Sequence, residues 1–348
     1  MNFASDNHYG VHAAIMAALG EANHGTASSY GGDQWTRRAE AALCAVFERE
    51  VKAFLVVTGT AANALALSAI APPYGAIFAH AEAHAHVDEC GAPELMTGGA
   101  KMIGLDTPGG KITPEAIAAR LKTFIRGEHD PKPAAVTITQ ATELGTVYRP
   151  AEIAAIAELA RSRAMRLHMD GARFANALVA AGVAPAELTW KAGVDVMSFG
   201  ATKNGAMALE AVIFFDTGLA EDFSWRRMRS AQLVSKGRYL GAQMLAYLKD
   251  DLWLANARHA NAMAARLAAG LAGRPRVRLP LPSEANEVFA IIPETLDASL
   301  KAAGAIYHQW PGSGPETGDV GPGEVFVRFV LSYATAPEDV DKLLAATA

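Results

Sequence analysis

The sequence predicts an α/β chain: a mostly parallel seven-stranded sheet with helices on both faces, then a smaller C-terminal α/β lobe. Three observations carry this. Short apolar runs alternate with Ala-rich helical runs between residues 54 and 215, the pattern of βαβ units whose strands are buried on both faces. After Asp216 that alternation stops and long helical stretches take over. At 348 residues, the chain exceeds one average core, which favours two lobes. The expected division is an N-terminal segment over 1–30, a large domain over 31–250 and a small domain over 251–348.

Taken in order, an amphipathic helix over 11–22 lies between polar stretches, and a second helix runs from Thr36 to Arg49. Apolar runs at 54–57, 76–79, 101–105, 134–139, 166–169, 194–199 and 211–215 supply the strands. Helices fall at 61–71, 113–124, 151–163 and 172–181. Two helix starts carry proline in the first turn, at Thr113-Pro114 and Arg149-Pro150, where the missing N–H costs nothing. Beyond Asp216 the pattern predicts a long helix over 221–249 and another from Trp253 to near Gly270. Short strands at 277–279, 287–292 and 324–331 and a last helix from Pro337 complete the small lobe. The Gly- and Pro-rich stretch from Pro311 predicts a mobile loop with no assignable chemistry.

Composition narrows the function class. Apolar residues make up 51% and charged residues 19%, as in a well-buried globular enzyme and not a disordered chain. Net charge is −5 without a basic block, which argues against nucleic acid or an anionic membrane as partner. Cys44 and Cys90 are too few for a disulfide framework and lack zinc-ligand spacing, so no metal site is expected. The start, Met1-Asn2-Phe3-Ala4-Ser5-Asp6, lacks the basic and apolar regions of a signal peptide, and no apolar run reaches membrane-spanning length. A cytoplasmic protein is expected.

Chemistry concentrates where predicted strands end. The run Val196 to Ala206 stops at small residues and then presents Lys203. An amine at the carboxyl end of a buried strand is partly desolvated, which favours its neutral, nucleophilic form, able to condense with a carbonyl cofactor; the ordinary alternative is a solvated loop lysine. Asp170, in Arg166-Leu-His-Met-Asp-Gly-Ala-Arg173, sits where a parallel strand meets a helix, the usual ligand crevice of such sheets. A carboxylate there can keep a pyridine nitrogen protonated or merely cap the helix. Thr58-Gly59-Thr60-Ala61-Ala62-Asn63 follows a strand and opens a helix. Its glycine, hydroxyls and free N–H groups read as a phosphate cradle or a tight capped turn.

A phosphate loop, then Asp170, then Lys203 is the ordered trio of fold-type I pyridoxal-phosphate enzymes. More narrowly, the chain resembles the low-specificity L-threonine aldolases of the β-eliminating lyase group. The resemblance runs nearly end to end: Ser5-Asp6-Asn7, Tyr30-Gly31-Gly32-Asp33, Thr58 to Asn63, His84 within Glu82 to Glu89, His168 to Arg173, Lys203 and Arg328. It implies pyridoxal phosphate held on Lys203, paired with Asp170, faced by His84 (or, with a register error, His86), with its phosphate at Thr58, Gly59 and Thr60. Arg173 and Arg328 would hold the substrate carboxylate, aided by Ser5, with Tyr30 also near the substrate; Arg173 also counts among the cofactor contacts. Lys236 and Arg227, in a basic segment expected on the long helix, would approach the phosphate from a neighbouring subunit, so a homodimer or homotetramer with shared sites is implied.

One position departs from the resembled pattern. Some relatives carry a histidine in the loop after the central strand; here Glu143 occupies the matching place, and a carboxylate can serve as base only if its pKa suits the task. The implied reaction is retro-aldol cleavage of β-hydroxy-α-amino acids to glycine and an aldehyde. The same trio also supports β-elimination, aminotransfer or racemisation on a small amino acid, and a non-catalytic cofactor-binding protein is the reading from another class.

Overall fold

The computed structural model describes residues 1–310 and 320–347; the loop expected from Pro311 lies outside the described residues. Among them, β1 (Lys52–Val56), β2 (Gly75–His80), β3 (Lys101–Leu105), β4 (Lys132–Thr139), β5 (Arg166–Gly171), β6 (Val196–Gly200) and β7 (Glu210–Phe214) form one sheet in the order β1-β7-β6-β5-β4-β2-β3. Only β7 runs against the rest, antiparallel to both β1 and β6. Burial explains why these segments read as continuous apolar runs: β2, β6 and β7 are buried along their whole length.

Helices cover both faces. On one, Phe47 packs against Phe174, Phe199 and Phe215 with ring centroids 5.2 to 6.2 Å apart. On the other, Phe223 meets Phe54 and Phe214. Each fully buried ring contributes about 1.5–3 kcal/mol of transfer free energy. The helix expected over 221–249 is instead two, Phe223–Arg229 and Arg238–Leu248. In the link Ala231 adopts φ 60°, and Gln232 Oε1 accepts from Val57 N at 3.1 Å. That tether to the end of β1 diverts a chain whose local sequence favours a continuous helix.

In the small lobe β8 (Glu287–Pro293), β9 (His308–Gln309) and β10 (Glu324–Val330) form an antiparallel sheet ordered β8-β10-β9. The strand expected at 277–279 is reduced to a single bridge between Arg278 and Ile291. Chain start and small lobe are joined: Phe3 N donates to Ile306 O at 2.7 Å, Val330 N donates to Phe3 O at 2.8 Å, and Phe3 is fully buried beside Phe329. The chain then turns through Asp6–His8 toward the rim of the large sheet.

Candidate active site

The turn after β6 is built to hold Lys203 in one place. Because β7 returns antiparallel, residues 201–209 form a short connection with no crossover helix. Lys203 sits in its Thr202–Asn204 turn, half-buried. Thr202 Oγ1 and Leu209 exchange bonds of 3.2 and 3.0 Å across the loop's neck. Asn204 Nδ2 donates to Tyr247 Oη and to Trp253 O, both at 2.8 Å, while Asn256 donates to Asn204 O at 2.9 Å. Below the lysine, Glu210 Oε2 accepts from Ala201 N at 3.1 Å, and burial pushes its carboxyl up to about 7.

Asp170 ends the neighbouring strand and is fixed from two sides. Its Oδ1 accepts from Ala172 N at 3.0 Å and its Oδ2 from Asn63 Nδ2 at 2.7 Å. The two turns meet backbone to backbone. A Cβ placed on Gly200 would stand 2.5 Å from Ala172 O, and one on Gly171 would stand 2.5 Å from Ser198 O. Only glycine fits such approaches. Beneath Asp170, buried His168 bonds Thr137 at 2.8 Å and Ser198 at 3.1 Å, and burial lowers its pKa to about 4. It stays neutral and belongs to the scaffold.

His84 heads the short His84–Val87 helix after β2. Its Nδ1 lies 2.9 Å from Glu89 Oε1, which raises the imidazole pKa above the ordinary histidine range. Glu89 Oε1 also accepts from Asn63 Nδ2 at 2.8 Å, so one amide joins the carboxylate beside His84 to that of Asp170. Glu143 Oε1 accepts from His84 N at 2.7 Å and Thr139 Oγ1 at 3.0 Å. Burial raises the Glu143 carboxyl to about 7, and its buried Oε2 has no protein partner among the described residues.

A cavity of about 220 Å³ gathers Lys203, Asp170, His84, Glu143, Arg173 and Arg328. Ser5 and Gly59 reach the same cavity. His86 does not: its ring packs against Gly104, behind the site. Thr58 caps the Gly59–Ile70 helix, its Oγ1 accepting from Ala61 N at 3.2 Å. The first-turn N–H groups of Gly59 and Thr60 have no intrahelical acceptor, and of Thr58, Gly59 and Thr60 it is Gly59 that lines the cavity.

The end of the cavity lined by Arg173 and Arg328 is more crowded than the sequence suggests. Arg173 donates through Nε and Nη2 to Asp6 at 2.8 and 3.1 Å. The Arg328 guanidinium has no hydrogen-bond partner at its buried Nε among the described residues, and it lies 4.0 Å from the Trp310 ring centroid. Ser5 Oγ accepts from Asn7 N at 3.1 Å, which leaves its own proton free to donate. Two expected contributors stay away from the chain's own cavity: Tyr30 is exposed and bonds Ser235 O through its N–H, and Lys236 is exposed in the link before Arg238. Arg227 instead lies over the Phe54 ring, 5.4 Å from its centroid.

Asn63, Glu89, Asp6, Trp310 and Glu287 were not given roles from sequence. The one local signal is Asn63, the single amide in the mostly apolar helix Gly59–Ile70.

Comparison with known proteins agrees with this geometry. A family described as beta-eliminating lyase matches residues 2–295. A low-specificity L-threonine aldolase from Pseudomonas aeruginosa is 44% identical over 342 residues, covering 98% of this chain and 95% of that protein. Another, from a Pseudomonas species, is 44% identical over 344 residues, covering 99% and 96%. Among solved structures, a threonine aldolase from Leishmania major superposes with a TM-score of 0.92 at 28% identity, covering 99% of this chain and 98% of that one.

Proposed function

The chain belongs to the beta-eliminating lyase family, and on that premise we propose that it cleaves L-threonine and L-allo-threonine to glycine and an aldehyde by a retro-aldol reaction dependent on pyridoxal phosphate. The observation that carries this is a single cavity holding an amine, Lys203, a fixed carboxylate, Asp170, and the Arg328 guanidinium, whose buried Nε has no hydrogen-bond partner among the described residues. That donor set fits the cofactor. Lys203 would hold its aldehyde carbon, Asp170 its ring nitrogen, and the N–H groups of Gly59 and Thr60 with the Thr60 hydroxyl its phosphate. His84 borders the ring's place. Bound there, pyridoxal phosphate supplies the electron sink that takes up the charge left at Cα.

The chain's own groups do the rest. Arg328, with the Ser5 hydroxyl, holds the substrate carboxylate; Arg173 supports them while anchored on Asp6. A planar guanidinium fixes orientation as well as charge, and orientation decides which Cα bond breaks. Glu143 is the base for the β-hydroxyl. Burial pushes its carboxyl up to about 7, matched to proton transfer at neutral pH; its Oε2 has no partner among the described residues, and the residue lines the cavity together with His84.

We further place the protein in the cytoplasm as a homodimer or homotetramer with shared sites. Lys236 and Tyr30, remote from their own cavity, are then supplied to a neighbour's. Among the described residues no helix is long and apolar enough to cross a membrane.

The test is product analysis of purified protein with pyridoxal phosphate. Acetaldehyde and glycine from threonine or allo-threonine are expected. Pyruvate and ammonia, or no release from threonine, allo-threonine and phenylserine alike, would overturn the assignment.

A further inference from the structure

Glu287, at the start of β8, is fully buried, and neither of its carboxylate oxygens accepts a hydrogen bond among the described residues. Burying such a group is costly unless charge compensates it. The compensation comes from both arginines of the carboxylate-binding end at once. Glu287 Oε1 lies 3.6 Å from Arg173 Nη2 and 3.5 Å from Arg328 Nη1. It does not reach the cavity itself; it stands behind the two guanidiniums.

We propose that Glu287 is a positioning residue that neutralises this guanidinium pair from behind and thereby sets a deliberately weak affinity for the carboxylate of the amino acid. The inference rests on the aldolase reading above. Charge counting gives the sign. Arg173 and Arg328 contribute two positive charges; Asp6, bonded to Arg173 at 2.8 Å, and Glu287 contribute two negative ones. These four charges therefore cancel one another before substrate arrives. An incoming carboxylate meets two cations but is also repelled by the anion behind them. With Glu287 removed, Arg328 keeps no ion-pair partner among the described residues, so the ligand-free protein is less stable and a bound carboxylate becomes its substitute. A contact that stabilises the unbound state more than the bound one lowers affinity, and removing it raises affinity.

Glu287→Gln keeps the shape and deletes the charge. In the holoenzyme, glycine titrated by its visible-spectrum change should bind on the order of tenfold more tightly than to the wild type. Propionate, which lacks the amine, should compete correspondingly better against threonine turnover. The ligand-free melting temperature should fall, and the rise produced by glycine should grow. A merely structural residue would lose affinity on substitution, so unchanged or weaker glycine binding overturns the proposal. If Glu287→Gln does not fold, Glu287→Asp, which withdraws the charge by one methylene, should still bind glycine more tightly than wild type; equal or weaker binding overturns it. Wild-type protein that releases no aldehyde would instead count against the aldolase reading.

Discussion

The side-chain nitrogen of Asn63 donates to Asp170 Oδ2 at 2.7 Å, joining two residues 107 positions apart. Because the same nitrogen also reaches Glu89 at 2.8 Å, it holds Asp170, the proposed ring-nitrogen partner, and the His84-bound carboxylate as one unit. Hydrogen bonds to charged groups are worth about 1.5–3 kcal/mol. Asn63→Ala should therefore lower kcat/KM roughly ten- to a hundredfold and weaken pyridoxal-phosphate binding in parallel. A variant with normal cofactor affinity and normal turnover would show that the bridge is idle.

Glu143→Gln tests the base. Glu143 is half ionised near pH 7 and loses its charge below it, so wild-type kcat should fall as pH drops through that value. The variant should lose about 10²-fold or more in kcat and with it the limb near pH 7. Stability should move the other way. An acid whose folded pKa is raised binds its proton more tightly when folded, so stability is fully present below the ordinary carboxylate range and is lost as pH rises through about 7. Glutamine carries no such loss, and the variant should melt higher than wild type at pH 8.

Lys203→Ala should abolish aldehyde release, to below about a thousandth of wild type. Borohydride reduction followed by peptide mapping should place the cofactor on Lys203 in the wild type and nowhere in the variant. Its fold should persist, since the turn is held by Thr202 and Asn204 and not by the lysine amine. Labelling that maps to another lysine would remove Lys203 from the mechanism.

Gly200→Ala should destabilise by at least about 2 kcal/mol, because its methyl would stand 2.5 Å from Ala172 O. The displaced Ala172 N–H is a donor to Asp170, so cofactor affinity should fall together with the melting temperature. Thermal denaturation and cofactor titration of the same preparation check both; a fall in one alone contradicts the coupling.

Strands were legible because buried parallel strands are written as apolar runs, and their ends because chemistry follows where those runs stop. Lys203, Asp170 and Gly59 are read that way. Partners that come from elsewhere in the chain leave little local trace. Glu287 looks like a charge opening an apolar strand; nothing nearby announces Arg173 and Arg328 around it. Asp6 resembles a helix-start residue, yet it is committed to Arg173, 167 positions away. The broken helix at Ala231 was likewise hidden, since the cause is Gln232 reaching Val57. The basic residues expected on one long helix therefore divide between two helices and a link, with Lys236 in the link.

The glycines where the two neighbouring strand ends touch have an evolutionary consequence. With main chain resting on main chain at Gly171 and Gly200, the gauge between the amine and its acidic counterpart has no adjustable spacer. A new substrate or stereochemical outcome would therefore have to come from side chains lining the rest of the cavity, among them His84, Glu143, Trp310 and Arg328, while the bench between the two strand ends stays the same width.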